Sequence, residues 1–240
     1  MTSYKLKHPE NLFEKYFNQI LLQEKMKLVE TGPYISISRE FGCMANDIAK
    51  KLARELSKRT KGPIKEMKWK WINKSILEES SKVLELSPSK IEYVFRSKAK
   101  TMMDEIVSAM ATRYYKSDKK IRKTIVDVIR AIAKTGHIII VGRGGVAFAS
   151  DNARSLHIKL VAPKEWRVER IAKNHKMTKK DAMAYINEID MERKYLIDTF
   201  MGYETGNSIF DIVLNRKSLS EKEILSTIIN LLEMKKLIGQ

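Results

Sequence analysis

The sequence is poor in cysteine and has no long apolar run. Cys43 is the only cysteine among 240 residues, so an internal disulfide is excluded and a reducing compartment is favoured. No run approaches the ~20 apolar residues of a membrane-spanning helix, and the N-terminal residues lack the apolar core of a signal peptide. These features predict a cytoplasmic protein without a membrane segment.

Acidic residues are also scarce. They number 29 against 46 Lys and Arg, which gives a formal net charge of +17. An excess of this size favours anionic partners, such as nucleotides, nucleic acid or anionic lipid. The lysines are spread over the chain, a distribution more typical of solvated helix faces than of a nucleic-acid-binding surface. Nucleic-acid binding therefore remains an alternative, and it predicts a steep dependence of binding on salt.

The chain has four histidines, and none is spaced as a metal ligand relative to another histidine or to the cysteine. We therefore expect no metal site formed by the protein alone. Cys43 precedes a predicted helix, whose N-terminus could lower the pKa of its thiol. Because no histidine lies nearby in sequence to act as a base, we do not predict cysteine catalysis.

Short apolar runs alternate with amphipathic helical patterns along most of the chain. The runs that predict strands cover residues 34–38, 64–69, 137–141, 156–161 and 209–214. The continuous run HIIIV at 137–141 is typical of a strand in the middle of a parallel sheet, covered on both faces. The sequence therefore predicts an α/β fold, with a five-stranded parallel sheet and helices on both faces.

Two further segments have no strand signal. Residues 1–31 contain apolar residues at helical spacing ahead of Gly32, which predicts an N-terminal helical extension. Residues of about 72–115 predict an all-helical insert within the main domain, which spans 32–240. The extension could cover an edge of the core or mediate a partner contact, and the oligomeric state is not indicated.

Two strand ends carry residues suited to phosphate binding. Open parallel sheets bind ligands beyond the carboxyl ends of their strands. Residues 38–42 (SREFG) follow the first strand and lead into a helix, whose free N–H groups attract phosphate. Gly42 is equally typical of an ordinary tight turn. Arg143, between glycines after the third strand, suits bidentate phosphate contact, although a surface arginine is the alternative.

Two charged pairs lie further along the chain, at helical spacing. Arg167 and Arg170 are three residues apart, as are Asp190 and Arg193. Each pair alone is more typical of a solvated helix face or a surface salt bridge. Together with Arg143 they could surround a polyphosphate, which is the arrangement that phosphoryl transfer requires.

In the order of these parts the chain resembles the cytidylate kinase-like family of P-loop nucleoside monophosphate kinases, over about residues 34–232. The segments that carry the resemblance are ISISREFG, WINKSILEESSKVLELS, IIIVGRGG, LHIKLVAPKEWRVERI, INEIDMERKYLIDTF and FDIVLNRKSLS. The resemblance implies transfer of the γ-phosphoryl group of ATP to a nucleoside monophosphate such as CMP. It also implies Mg²⁺ bridging the donor phosphates.

The resemblance implies a role for particular residues. The donor nucleotide would contact Arg39, Gly42, Cys43, Ala45, Asn46 and Asp47. The acceptor would lie between the helical insert and Arg143 and would also contact Asp190 and Arg193. A lid at about 173–206 would close over both, with Arg170 on the lid side, so the implied catalytic set is Arg143, Arg170 and Arg193.

The loop after the first strand departs from the family pattern. Members commonly read close to SREFGSGGRE, and this chain reads SREFGCMAND. Met44 and Ala45 replace glycines, which raises the steric cost of bringing backbone N–H groups against phosphate. Asp47 would stabilise the first helical turn but repel a polyphosphate. A non-catalytic nucleotide- or protein-binding module on the same fold is therefore the alternative.

Overall fold

The computed structural model describes residues 33–59, 68–73, 118–148 and 154–239. The predicted N-terminal extension lies outside these residues, as does all but the start of the predicted helical insert.

Five parallel strands form one sheet in the order β2-β3-β1-β4-β5. They are β1 (Tyr34–Arg39), β2 (Lys70–Ile72), β3 (Ile138–Val141), β4 (Ser155–Val161) and β5 (Ile212–Asn215). The predicted five-stranded parallel sheet is confirmed. Its central strands read as continuous apolar runs because both faces are covered, and all four residues of β3 are buried.

Two strand predictions are wrong in their bounds. The second strand was expected at 64–69, but β2 begins at Lys70, because the Trp69 backbone N–H donates to the Ser57 hydroxyl instead of to the sheet. Residues 64–67 lie outside the described part. The fifth strand was expected from Ile209, but Asn207–Ile209 form a 3₁₀ turn and β5 starts at Ile212. Apolar content alone did not reveal either local bond pattern.

Five helices accompany the sheet in the described part. They are α1 (Ala45–Arg59), α2 (Asp118–Lys134), α3 (Lys164–His175), α4 (Lys179–Met201) and α5 (Glu221–Met234). None of the described helices is long and apolar enough to cross a membrane.

The core has one layer on each face of the sheet. Ile35 and Ile139 pack in a cluster with α1 and α5, whereas Tyr34 and Ile138 pack in a cluster with α2. Neighbouring residues of a strand point to opposite faces, so each apolar run supplies both layers. Fully burying one such side chain contributes roughly 1.5–3 kcal/mol to stability. This packing holds the strands in place, and with them the strand ends at which the site lies.

Two helices begin at residues whose side chains cap them. Ser220 and Glu223 form a reciprocal capping box ahead of α5. Thr178 caps α4 by accepting from the Asp181 backbone N–H, and its hydroxyl donates to the Asp181 carboxylate. Asp181 is too short to complete the box in the way that Glu223 does.

Candidate functional site

A cleft of about 370 Å³ opens at the carboxyl ends of the strands. Its walls come from the ends of β1 and β3, from α4, and from the segment between α4 and β5. The volume lies in the lower part of the range of small-molecule sites, roughly 300–1,000 Å³. The cleft is therefore large enough for one small ligand.

Three arginines converge on this cleft. Arg39 ends β1, Arg143 follows β3, and Arg193 lies on α4. The sequence predicts Arg143 and Arg193 as parts of one site, and both line the cleft. The resemblance implies Arg39 on the donor side, but Arg39 lies beside the other two arginines. Residues 42–47 do not line this cleft.

The glycines around Arg143 make room for this arrangement. A Cβ atom on Gly142 would lie 1.7 Å from Nη1 of Arg39, and one on Gly144 would lie 2.4 Å from the ring of Phe200. Arg143 itself has φ +56°, in the left-handed region that non-glycine residues seldom occupy. Such strain is often found at functional sites, where the surrounding structure holds it in place.

The three guanidinium groups repel one another. Burial, followed by Arg193 and Arg143, lowers the pKa of Arg39 to about 9, and Asp190 opposes the shift. Burial also lowers the pKa of Arg193, with Arg143 acting in the same direction and Asp190 against it. Because arginine side chains stay charged at neutral pH, the described residues of the cleft wall carry an excess of positive charge that suits an anion.

Asp190 makes two hydrogen bonds within the protein. Its Oδ1 accepts from the Phe41 backbone N–H at 2.6 Å, and its Oδ2 accepts from Nη1 of Arg167 at 2.6 Å. Arg193 Nη1 is 3.9 Å from Asp190 and donates instead to the Arg39 carbonyl at 3.2 Å. Both carboxylate oxygens are thus engaged with the protein, and contact of Asp190 with an acceptor remains an untested prediction.

The spacing of Arg167 and Arg170 favoured a solvated helix face, but Arg167 is buried. Its side chain is only 4% exposed, and it donates to the carbonyls of Ala162 and Phe41. Glu40 lies 3.3 Å from its Nε. Arg167 therefore helps to hold the loop of residues 40–44, which we call the β1–α1 loop.

The β1–α1 loop has a left-handed backbone at Gly42 and also at Met44, which replaces a glycine of the family pattern. Gly42 has φ +94° and Met44 has φ +51°, so Met44 takes a conformation that glycine adopts at lower cost. The side chains of Cys43 and Ala45 are buried in the core. Any contact of these two residues with a nucleotide would therefore be made by their backbone.

The Cys43 thiol is unsuited to nucleophilic chemistry. Burial, with a contribution from Glu40, raises its pKa to about 12. The helix N-terminus next to it does not compensate for the lost solvation. This outcome agrees with the expectation that cysteine catalysis does not occur here.

The start of α1 retains donors for an anion. Within the described residues no acceptor is present for the backbone N–H groups of Met44, Ala45 or Asn46, whereas Asp47 N–H donates to the Met44 carbonyl. Asn46 and Asp47 are exposed. The first turn therefore offers free N–H groups, together with a carboxylate that weakens the attraction for phosphate.

Arg170 lies against the β1–α1 loop. Its Nη2 donates to the Met44 sulfur at 2.8 Å, and its guanidinium lies 4.6 Å from the centre of the Trp166 ring. Its Nε is buried without a partner among the described residues. The structure thus brings Arg170 to the loop but not into the cleft of Arg39, Arg143 and Arg193.

Sequence reasoning missed part of the cleft wall. Lys159, Asn207 and Phe210 line it, with Lys159 Nζ bonded to Asn207 Oδ1 at 2.8 Å and 5.5 Å from the Phe210 ring. Lys159 is a charged residue within the otherwise largely apolar strand β4, and this feature of the sequence could have indicated a functional position. Arg167 lies four residues before the buried Ile171 and thus on the same helix face, and that spacing could have predicted its burial.

The sequence of the chain matches the model of the cytidylate kinase-like family over residues 34–218. The chain belongs to this family. Membership supports a nucleotide-binding phosphotransferase of the kinase type. No curated protein matches this cytidylate kinase-like chain in sequence.

Solved structures resemble this family member in fold. An uncharacterized protein from Eubacterium ventriosum ATCC 27560 superposes with a TM-score of 0.58 at 19% identity, covering 84% of this chain and 98% of that chain. Shikimate kinase from Bacteroides thetaiotaomicron gives 0.44 at 12% identity, covering 85% and 98%. Dephospho-CoA kinase from Campylobacter jejuni gives 0.37 at 16% identity, also covering 85% and 98%. The first likeness shows a shared fold, and we draw no conclusion from the other two.

Proposed function

We propose that this chain transfers the γ-phosphoryl group of ATP to a nucleoside monophosphate such as CMP. The main support is the cleft whose wall brings together Arg39, Arg143 and Arg193, with guanidinium groups that repel one another. A phosphate dianion bound there would relieve this repulsion. Family membership supplies the class of reaction, and the cleft supplies a site for the acceptor.

Arg143 and Arg193 are the proposed acceptor-side catalytic residues. The Gly-rich turn brings Arg143 to the end of β3, while the Arg39 carbonyl accepts from Arg193 and orients it. Guanidinium groups present planar pairs of donors that match phosphate oxygens. In phosphoryl transfer, such fixed cations position the acceptor and neutralise charge that spreads over the transferred group.

The donor side depends on backbone groups. The free N–H groups of Met44, Ala45 and Asn46 would receive the donor phosphates at the start of α1. Arg170, next to Met44, would supply a side-chain cation. Asp47 reduces the attraction, so we expect ATP to bind less tightly than it would to a loop with glycines and a basic residue.

Mg²⁺ is implied by the family. Among the described residues, no group of three His, Cys, Asp or Glu side chains is arranged to hold a metal ion. The described residues therefore do not fit a metal site formed by the protein alone. Mg²⁺ would enter with the phosphates of ATP, and we derive no step from it.

A non-catalytic nucleotide-binding module is the second candidate. The contact between Met44 and Arg170 favours it, because the thioether occupies a guanidinium that a donor phosphate would need. In this alternative the arginine cleft binds a monophosphate, but ATP does not bind at the β1–α1 loop. The two candidates therefore differ in their affinity for ATP.

A thermal-shift titration with CMP, UMP, AMP and ATP·Mg²⁺ separates the candidates. A ligand that binds only the folded state at 100 times its Kd adds about 2.7 kcal/mol of stability. The proposal expects both ATP·Mg²⁺ and at least one monophosphate to raise the Tm. Stabilisation by a monophosphate without any by ATP·Mg²⁺ would support the non-catalytic module instead.

A further inference from the structure

The proposed reaction assigns no role to the side chain of Arg39. Arg39 is the last residue of β1, immediately before the β1–α1 loop, so its sequence position suggests the donor side. Its guanidinium nevertheless lies against Gly142, at the end of the neighbouring strand β3. The guanidinium therefore lies at the end of β3, and Arg39 lines the cleft.

Gly142 is what permits this position. A Cβ atom there would lie 1.7 Å from Nη1 and 2.9 Å from Cζ of Arg39, far closer than non-bonded atoms can approach. The glycine also has φ +71°, which disfavours any side chain. The Arg39 guanidinium therefore occupies the space that a side chain at position 142 would need.

The Arg39 guanidinium has no hydrogen-bond acceptor among the described residues. The only hydrogen bond described for Arg39 outside the sheet is made by its carbonyl, which accepts from Arg193 Nη1 at 3.2 Å. Asp190, which lines the cleft, already accepts from Phe41 and Arg167. Glu40, the other carboxylate among the described lining residues, accepts from the Ala162 backbone N–H and lies 3.3 Å from Arg167 Nε.

We propose that Arg39 is a third acceptor-phosphate residue, acting with Arg143 and Arg193 to bind the phosphate dianion of a nucleoside 5′-monophosphate. This inference rests on the proposed function, since it names a residue that recognises the acceptor of that reaction. Arg39 contacts the phosphate, which all nucleoside monophosphates share, and does not contact the base. It contributes nothing to the affinity for ATP.

Calorimetric titration of Arg39→Gln and Gly142→Ala with CMP, UMP and ATP·Mg²⁺ tests the inference. Loss of charged hydrogen bonds to phosphate weakens binding about 10- to 100-fold. We expect this loss for CMP and UMP by the same factor, with the affinity for ATP·Mg²⁺ unchanged. Gly142→Ala keeps the charge but displaces the guanidinium, so it should act in the same direction.

Arg54→Gln is the matched control, because Arg54 lies on α1 with its side chain 77% exposed. It removes one positive charge outside the cleft and should change each affinity by less than about twofold. Should Gly142→Ala fail to fold, Arg39→Gln and Arg39→Lys still decide the matter, since lysine keeps the charge but loses the bidentate geometry.

The outcomes separate this inference from the proposed function. If wild-type protein binds CMP and Arg39→Gln binds it equally well, the role of Arg39 is refuted while the proposed function stands. Weaker binding of ATP with unchanged CMP binding also refutes it, and returns Arg39 to the donor side. If CMP binding depends on Arg39 but no phosphoryl transfer occurs, the inference stands and the proposed reaction fails. If the wild-type protein binds no monophosphate, both fail.

Discussion

Arg167 on α3 donates from Nη1 to Asp190 on α4 at 2.6 Å, and the other oxygen of Asp190 accepts from the Phe41 backbone N–H at 2.6 Å. One carboxylate therefore joins two helices to the β1–α1 loop. Arg193, which lines the cleft, lies one turn further along α4. This connection links the position of the loop to that of the cleft arginine.

Asp190→Asn should weaken both the fold and the loop. The variant leaves the buried Arg167 with less negative charge, so we expect the free energy of unfolding to fall by about 1–3 kcal/mol. The Phe41 amide should also exchange its hydrogen faster, because its charged acceptor is lost. Urea denaturation and hydrogen exchange at Phe41 measure the two effects.

Arg59→Gln is the control for this variant. Arg59 pairs with Glu233 at 3.0 Å, but both side chains are about half exposed, at 52% and 45%. An exposed pair contributes less than about 1 kcal/mol, so this control should be nearly neutral. Equal losses in Asp190→Asn and Arg59→Gln would show that the Asp190 connection does not stabilise the loop.

Met44→Gly and Met44→Ala separate two effects of Met44. Both remove the thioether from Arg170, but only glycine removes the cost of φ +51°. We expect the glycine variant to be more stable than the alanine variant by about 1 kcal/mol. Chemical denaturation measures this difference, and an alanine variant of equal or greater stability would contradict the strain at this position.

His157 should give the protein a dependence of stability on pH. Its ring nitrogens lie 2.6 Å from the Ser36 hydroxyl and 2.9 Å from the Ser155 hydroxyl. Burial lowers its pKa to about 4, against an effect of Asp211 in the opposite direction. The unfolded chain therefore binds a proton first, and stability is lost as pH falls from about 6.5 to about 4.

The size of this effect follows from the pKa difference and amounts to about 3 kcal/mol. Urea denaturation of the wild-type protein and of His157→Asn between pH 7.5 and 4 measures it. Carboxylates other than Asp211 contribute equally to both proteins, so the difference between their profiles reports on His157 and its interaction with Asp211. Identical profiles would show that His157 does not titrate as described.

The sheet could be predicted because short continuous apolar runs such as HIIIV are typical of buried strands in a parallel sheet. The bounds of β2 and β5 could not, because the Ser57 hydroxyl and the turn at Asn207 decide where pairing begins. The first contact is made by a side chain, and the second is a local hydrogen bond from the Phe210 N–H to the Asn207 carbonyl. The hydrophobic periodicity of a sequence gives no information about such contacts.

The sequence predicted that Arg143 and Arg193 lie together, but not that Arg39 lies beside them. Gly-rich turns at strand ends pointed to Arg143, and the resemblance pointed to Arg193. Arg39 was assigned by its place in the chain, yet the direction of its side chain is set by Gly142, a hundred residues away in sequence. The role of Asp190 depends likewise on Phe41 and Arg167, which the sequence does not connect to it.

The most direct test of the account is whether the protein converts CMP and ATP·Mg²⁺ into CDP and ADP, followed by ³¹P NMR. We predict that the wild-type protein forms CDP, and that Arg193→Gln folds normally but forms it at least about 100-fold more slowly. CMP and UMP should be tried in parallel, each at saturating concentration. Saturable binding of ATP and of these monophosphates without any diphosphate product would contradict the proposed phosphotransferase.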